Sequence, residues 1–69
     1  MPSTSARNQF DGVITALTRG PVNAEVAITL PGGTVVHAVV TQQAVAELQL
    51  AVGRPARAII KASDVVVAA

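Results

Sequence analysis

The chain has 69 residues, no cysteine, one histidine and a net charge of +1. That composition excludes disulfides, thiolate metal sites and a histidine metal cluster, and it gives no strong field for nucleic acid or an acidic membrane. A single core of this size supplies only roughly 3–5 kcal/mol, so association between copies is the reinforcement that remains. Hydrophobic residues make up 51% of the chain and charged residues 13%, about half the usual charged share of roughly 25%. A small monomer of that kind exposes apolar patches, and such patches mark association surfaces.

Met1 to Arg7 is polar and has no apolar core, so it does not read as a secretory signal. No apolar run has the length to cross a bilayer. The expectation is a single soluble cytoplasmic domain over 1–69.

Gln9 to Thr18 predicts a strand, with Phe10, Gly12, Ile14 and Ala16 on one face and Val13, Thr15 and Leu17 on the other. Arg19-Gly20-Pro21 breaks it. Val22 to Leu30 then alternates with period two as a second strand. Pro31-Gly32-Gly33 follows, and its Gly-Gly pair predicts a tight hairpin into a third strand, Thr34 to Val40. Thr41 is placed to cap a short helix through its hydroxyl, with Ala44, Val45 and Leu48 on one face. After Ala51-Val52-Gly53 a fourth strand is expected over Ala56 to Ala62. Ser63-Asp64 bends the chain into a short fifth, Val65 to Ala68. Its run of three valines does not alternate, which suggests burial on both sides and hence a neighbouring subunit. Three strands, a helix and two strands is the pattern of an all-β, five-stranded OB-fold barrel with one short helix between strands three and four, here oligomeric.

Polar chemistry concentrates in two segments, Ser5-Ala6-Arg7-Asn8 and Lys61-Ala62-Ser63. In an OB barrel the first and fourth strands are neighbours, so Arg7 can approach Lys61. Two adjacent cations repel unless an anion joins them, and each charge-assisted hydrogen bond to it contributes about 1.5–3 kcal/mol. Ser5 and Ser63 add hydroxyl donors, and the peptide groups around Ala6 and Ala62 add neutral ones. A donor-only site favours fully deprotonated oxyanions such as molybdate, tungstate or sulfate over monohydrogen phosphate, whose proton needs an acceptor. By spacing alone, solvated charges and turn serines explain the same residues. His37, in an apolar strand, reads as a packed or interface histidine; Glu25 and Glu47 read as solvent-facing charges, and Asp64 as a turn residue. Nothing pairs a nucleophile with a base, so no enzyme is expected.

Thr4-Ser5-Ala6-Arg7-Asn8-Gln9, with Gly12 and Asn23-Ala24-Glu25-Val26, resembles the molbindin (Mop) family. So do the Gly-Gly hairpin, Val39-Val40-Thr41, Leu48 to Gly53, and Ala58 to Val65. The likeness covers essentially the whole chain. It implies an OB-fold subunit that binds molybdate or tungstate, with no organic cofactor, for intracellular molybdenum storage or homeostasis. It also implies a homohexamer, a trimer of dimers, with sites between subunits and no nucleic-acid or membrane partner. By the same resemblance Ser5 and Arg7 hold the oxyanion with Lys61 and the backbone at Ala62, and Thr41 adds a hydroxyl. Ala44 departs from relatives that carry serine there, which removes one contact. Gly20, Val22 and Asn23, in the turn after the first strand, are the candidates for a second oxyanion site. The competing reading is an OB-fold nucleic-acid-binding or regulatory adaptor module. Base stacking needs aromatic side chains over a basic groove, and Phe10 is the single aromatic residue.

Overall fold

The computed structural model describes residues 5–69. Met1 to Thr4, which include the Thr4 that opens the quoted motif and most of the polar start, lie outside the described residues. Four strands, β1 (Asn8–Arg19), β2 (Asn23–Thr29), β3 (Val35–Thr41) and β4 (Pro55–Ile60), form one antiparallel sheet in the order β3-β2-β1-β4. A short helix, α1 (Gln42–Glu47), joins β3 to β4, and a 3-10 turn (Ala62–Asp64) follows β4. The chain is thus mostly β, a sheet with one helix inserted after its third strand, as in OB-like folds.

The inward face follows from the period-two pattern. Ile14, Val26, Ile28 and Ala58 are buried together, with Leu17, Leu30, Val36, Val40, Leu50 and Ala56 packed around them. The expected alternation of β1 fails at one place. Ile14 pairs with Ile28, but Ala16 pairs with Ala27, so Thr15 is an extra residue in the ladder. This β-bulge shifts the phase of the strand by one residue and brings Leu17, opposite Val26, onto the same face as Ile14. A bulge has no mark in the hydrophobic pattern. Thr15 is left beside Thr29, their hydroxyl oxygens 2.8 Å apart.

The loops differ from expectation in detail. Gly33 N–H donates to Leu30 O at 3.0 Å, so Pro31 and Gly32 are the central pair of the turn. Gly32 takes φ +94° there, the value such a turn requires at its second central position. At the helix start Thr41 Oγ1 accepts from Ala44 N–H at 3.0 Å, the cap expected of it. Val45 is the one residue of α1 that is buried. The helix ends with Leu50 N–H on Val45 O (3.0 Å) and Gln49 N–H on Ala46 O (3.2 Å), the two bonds of a Schellman motif. Gln49 sits at its left-handed position with φ 54°, where a Cβ is unfavourable. Gln49→Gly should therefore stabilise the fold by about 0.5–1 kcal/mol, read as a rise in thermal midpoint of roughly 4 °C.

Two further expectations need correction. The fifth strand, Val65 to Ala68, is not formed within the chain. After the 3-10 turn the segment pairs with no strand, and Val66 and Val67 are 92% and 85% exposed. Of the two readings of His37, packed or at an interface, the first does not hold within the chain: its side chain lies on the outer face, with Nδ1 3.8 Å from Glu25 Oε1 and both residues exposed.

On the outer face of β1 and β4, Arg57 grips Asp11 with Nε on Oδ1 at 2.8 Å and Nη2 on Oδ2 at 3.2 Å. The hydrogen bond from Arg57 holds the Asp11 carboxyl below the ordinary carboxylate range, against a smaller opposing effect of desolvation. A depressed carboxylate contributes stability above its unfolded pKa and loses it as pH falls through the lower folded value. Asp11→Asn should accordingly flatten the decline of the thermal midpoint below the ordinary value of 3.8.

Candidate oxyanion site

The β1–β4 ladder ends at the pair Asn8 and Ile60. Asn8 Nδ2 donates to Ile60 O at 3.2 Å and latches the two strands together at that point. Arg7 and Lys61 are the next residue on either side of that last pair. The two cations therefore leave the sheet at the same end. Both are exposed, and neither side chain has a hydrogen bond or ion pair among the described residues. Arg57, by contrast, is neutralised by Asp11.

Short-range bonds shape the backbone on both sides. Gln9 Nε2 donates to Ala6 O at 2.7 Å, folding the approach to β1 back on itself. Lys61 is extended (φ −61°, ψ 136°) and precedes the 3-10 turn. Within that turn Asp64 N–H donates to Lys61 O at 2.9 Å and Val65 N–H to Ala62 O at 3.3 Å. The amides of Ala62 and Ser63 are not used by these two bonds. Ser5 and Ser63 are exposed. Ser5, Ala6, Arg7, Asn8, Lys61, Ala62 and Ser63 are therefore all at the end of the sheet where β1 begins and β4 finishes.

Thr41 is not with them. It pairs with Asn23 at the end of β3, in line with the far end of β1, where Arg19 pairs with Ala24. β1 has 12 residues, and at a rise of about 3.3 Å each its ends are separated by a distance comparable with the molecule's longest dimension, 35 Å. Gly20, Val22, Asn23 and Ala44 share the Thr41 end. Thr41 Oγ1 is an acceptor toward Ala44 N–H, which leaves its hydroxyl proton free to be donated outward. The two groups of candidate residues thus lie at opposite ends of the sheet.

Sequence reasoning missed Gln42 at that second end. Its half-buried side chain connects the β1–β2 turn to the start of α1, accepting from Arg19 Nη1 at 3.1 Å and donating to Gly20 O and Asn23 O. A glutamine in the first turn of a helix carries no signal of such long-range bonds.

Between the unpaired edges of β3 and β4 lies an apolar cleft of about 530 Å³, whose lining includes Ile14, Val26, Val36, Lys61 and Asp64. Among the described residues no three His, Asp or Glu side chains are grouped to hold a metal ion. No helix among them is long and apolar enough to cross a membrane.

The model of the TOBE domain family matches residues 4–67. A probable molybdenum-pterin-binding protein of Haemophilus influenzae is 49% identical, the alignment covering 91% of each chain. The molybdenum transport protein ModE of Herbaspirillum seropedicae is 48% identical over 96% of this chain, which spans only 24% of that protein. Among solved structures, MopII from Clostridium pasteurianum superposes with a TM-score of 0.92 at 36% identity, covering 97% of this chain and all of that one. The cytoplasmic molybdate-binding protein ModG, solved with molybdate bound, also gives 0.92 at 48% identity, over 94% of this chain and 46% of that one.

Proposed function

This chain belongs to the TOBE domain family, with the small molybdenum-pterin-binding proteins among its relatives, and from that premise we propose that it binds molybdate or tungstate between subunits. The observation that carries the reading is the placement of Arg7 and Lys61, two cations at the end of one ladder, neither in an ion pair among the described residues. A tetrahedral dianion between them relieves their repulsion and accepts from Ser5, from Ser63 and from the amide of Ala62. Each donor group adds a charge-assisted hydrogen bond. Every group of the set donates, so a fully deprotonated oxyanion is satisfied on all sides while monohydrogen phosphate is not.

Thr41 completes the set only from a second copy, because within one subunit it stands at the opposite sheet end. Assembly has support of its own in the exposed Val65–Val67 segment, which a neighbouring copy's apolar cleft would shield. The self-association is a homohexamer built as a trimer of dimers, with the turn at Gly20, Val22 and Asn23 as a second oxyanion site. The role is cytoplasmic molybdenum storage and homeostasis, without catalysis.

Titration calorimetry with molybdate, tungstate, sulfate and phosphate, run beside a solution mass measurement, tests both parts. Binding of the first two, with no heat from phosphate and a mass several times that of the subunit, is the expected result. Equal binding of all four anions reduces the site to generic ion pairing, and a monomeric mass removes the shared site. Val66→Asp combined with Val67→Asp should lower the mass; an unchanged mass takes the tail out of the interface.

A further inference from the structure

Gln42 is the most heavily anchored side chain at the Thr41 end of the sheet. Its main-chain N–H donates to Val22 O at 3.0 Å, Nε2 donates to Gly20 O and to Asn23 O, and Oε1 accepts from Arg19 Nη1. These bonds join the residue immediately after Thr41 to both limbs of the β1–β2 turn. Thr41 is itself held on one side by its register pair Asn23 and on the other by the bond from Ala44 N–H to its hydroxyl oxygen. The junction between β3 and α1 is a change of direction from strand to helix at an exposed position. Of the six residues of α1 only Val45 is buried.

We propose that Gln42 is a positioning residue for oxyanion binding. It touches no ligand, but by fastening the first turn of α1 to the β1–β2 turn it fixes where the Thr41 hydroxyl points. The proposal rests on the reading of Thr41 as a donor to an oxyanion held by Arg7 and Lys61 of a second copy. Preorganisation of this kind matters because a donor held in its bound orientation loses little freedom on binding. A hydroxyl on a loose strand end must be ordered by the ligand itself.

A double-mutant cycle with molybdate as the titrant separates this role from a purely structural one. Thr41→Ala should weaken molybdate binding roughly tenfold, the scale of one hydrogen bond to a charged group. Gln42→Met keeps the length of the side chain but has no amide, and it should weaken binding by a similar factor. In the Thr41→Ala background Gln42→Met should change affinity by less than about twofold. Thr41→Ser, which retains the hydroxyl, should restore near-native binding. Additive losses, or full affinity in Gln42→Met while Thr41→Ala is impaired, overturn the proposal. Full affinity in Thr41→Ala overturns instead the reading of Thr41 on which it stands. If Gln42→Met does not fold, Gln42→Asn, whose amide is one methylene too short to reach the Gly20 and Asn23 carbonyls, reads the same coupling with Thr41. Additivity there has the same meaning.

Discussion

Molybdate at a hundred times its dissociation constant should stabilise the folded protein by about 2.7 kcal/mol, and Lys61→Ala should erase that gain. The first figure is linkage alone: a ligand that binds the native state and not the unfolded chain adds free energy set by its concentration relative to its dissociation constant. Against a total of roughly 3–5 kcal/mol for a core of this size it is a large increment. At about 4–8 °C per kcal/mol it is easily read as a shift in thermal midpoint. Lys61 is exposed, its side chain without a hydrogen bond or ion pair among the described residues. Its removal alone should therefore alter stability by no more than about 0.5 kcal/mol. The variant thus isolates the anion contribution. Phosphate should give no shift with either protein. A Lys61→Ala protein that is stabilised by molybdate as well as the parent would remove Lys61 from the site.

The second large effect is expected at Gly12, and it concerns folding rather than binding. Gly12 lies in β1 opposite Ala56, one residue before the pair Val13 and Thr29 at the end of β2. A Cβ there would stand 2.5 Å from Thr29 O, 2.9 Å from Ile28 Cγ2 and 3.0 Å from Leu30 Cδ2. Thr29 O belongs to the backbone of a paired strand and cannot retreat without disturbing the ladder. Gly12→Ala should therefore cost about 1–3 kcal/mol, as overpacking does, and lower the thermal midpoint by more than 5 °C. Gly32→Ala makes a useful contrast. No atom lies within 4 Å of its added methyl, and its penalty comes from φ +94° alone. A Gly12→Ala protein as stable as the parent would mean that the strand contact is softer than its distances imply.

Much of the architecture was legible because strands advertise themselves locally. The alternation in Val22 to Leu30 and the proline and glycines after it are properties of short segments. So is a threonine ahead of Gln42-Gln43-Ala44, and the backbone responds to each through its own sterics and hydrogen bonding. The two polar segments were legible for a similar reason. They stand out against an apolar chain, and antiparallel pairing of the first and fourth strands brings Arg7 and Lys61 to the same end of the sheet.

Other features depend on how distant parts of the chain meet. The Thr15 bulge, and with it the inward turn of Leu17, is set by the pairing of β1 with β2. Gln42 acquires its role from a turn about twenty positions earlier in the chain. The sequence by itself determined which segments are extended, where the polar donors stand, and that the chain is rich in apolar residues and poor in charged ones. Only the tertiary structure decided that Thr41 stands at the opposite end of the sheet from Arg7 and Lys61, and that Val65 to Ala68 finds no strand to join. Local preference sets the conformation of a segment, whereas the register of paired strands sets what lies beside it, and register is a property of two segments at once.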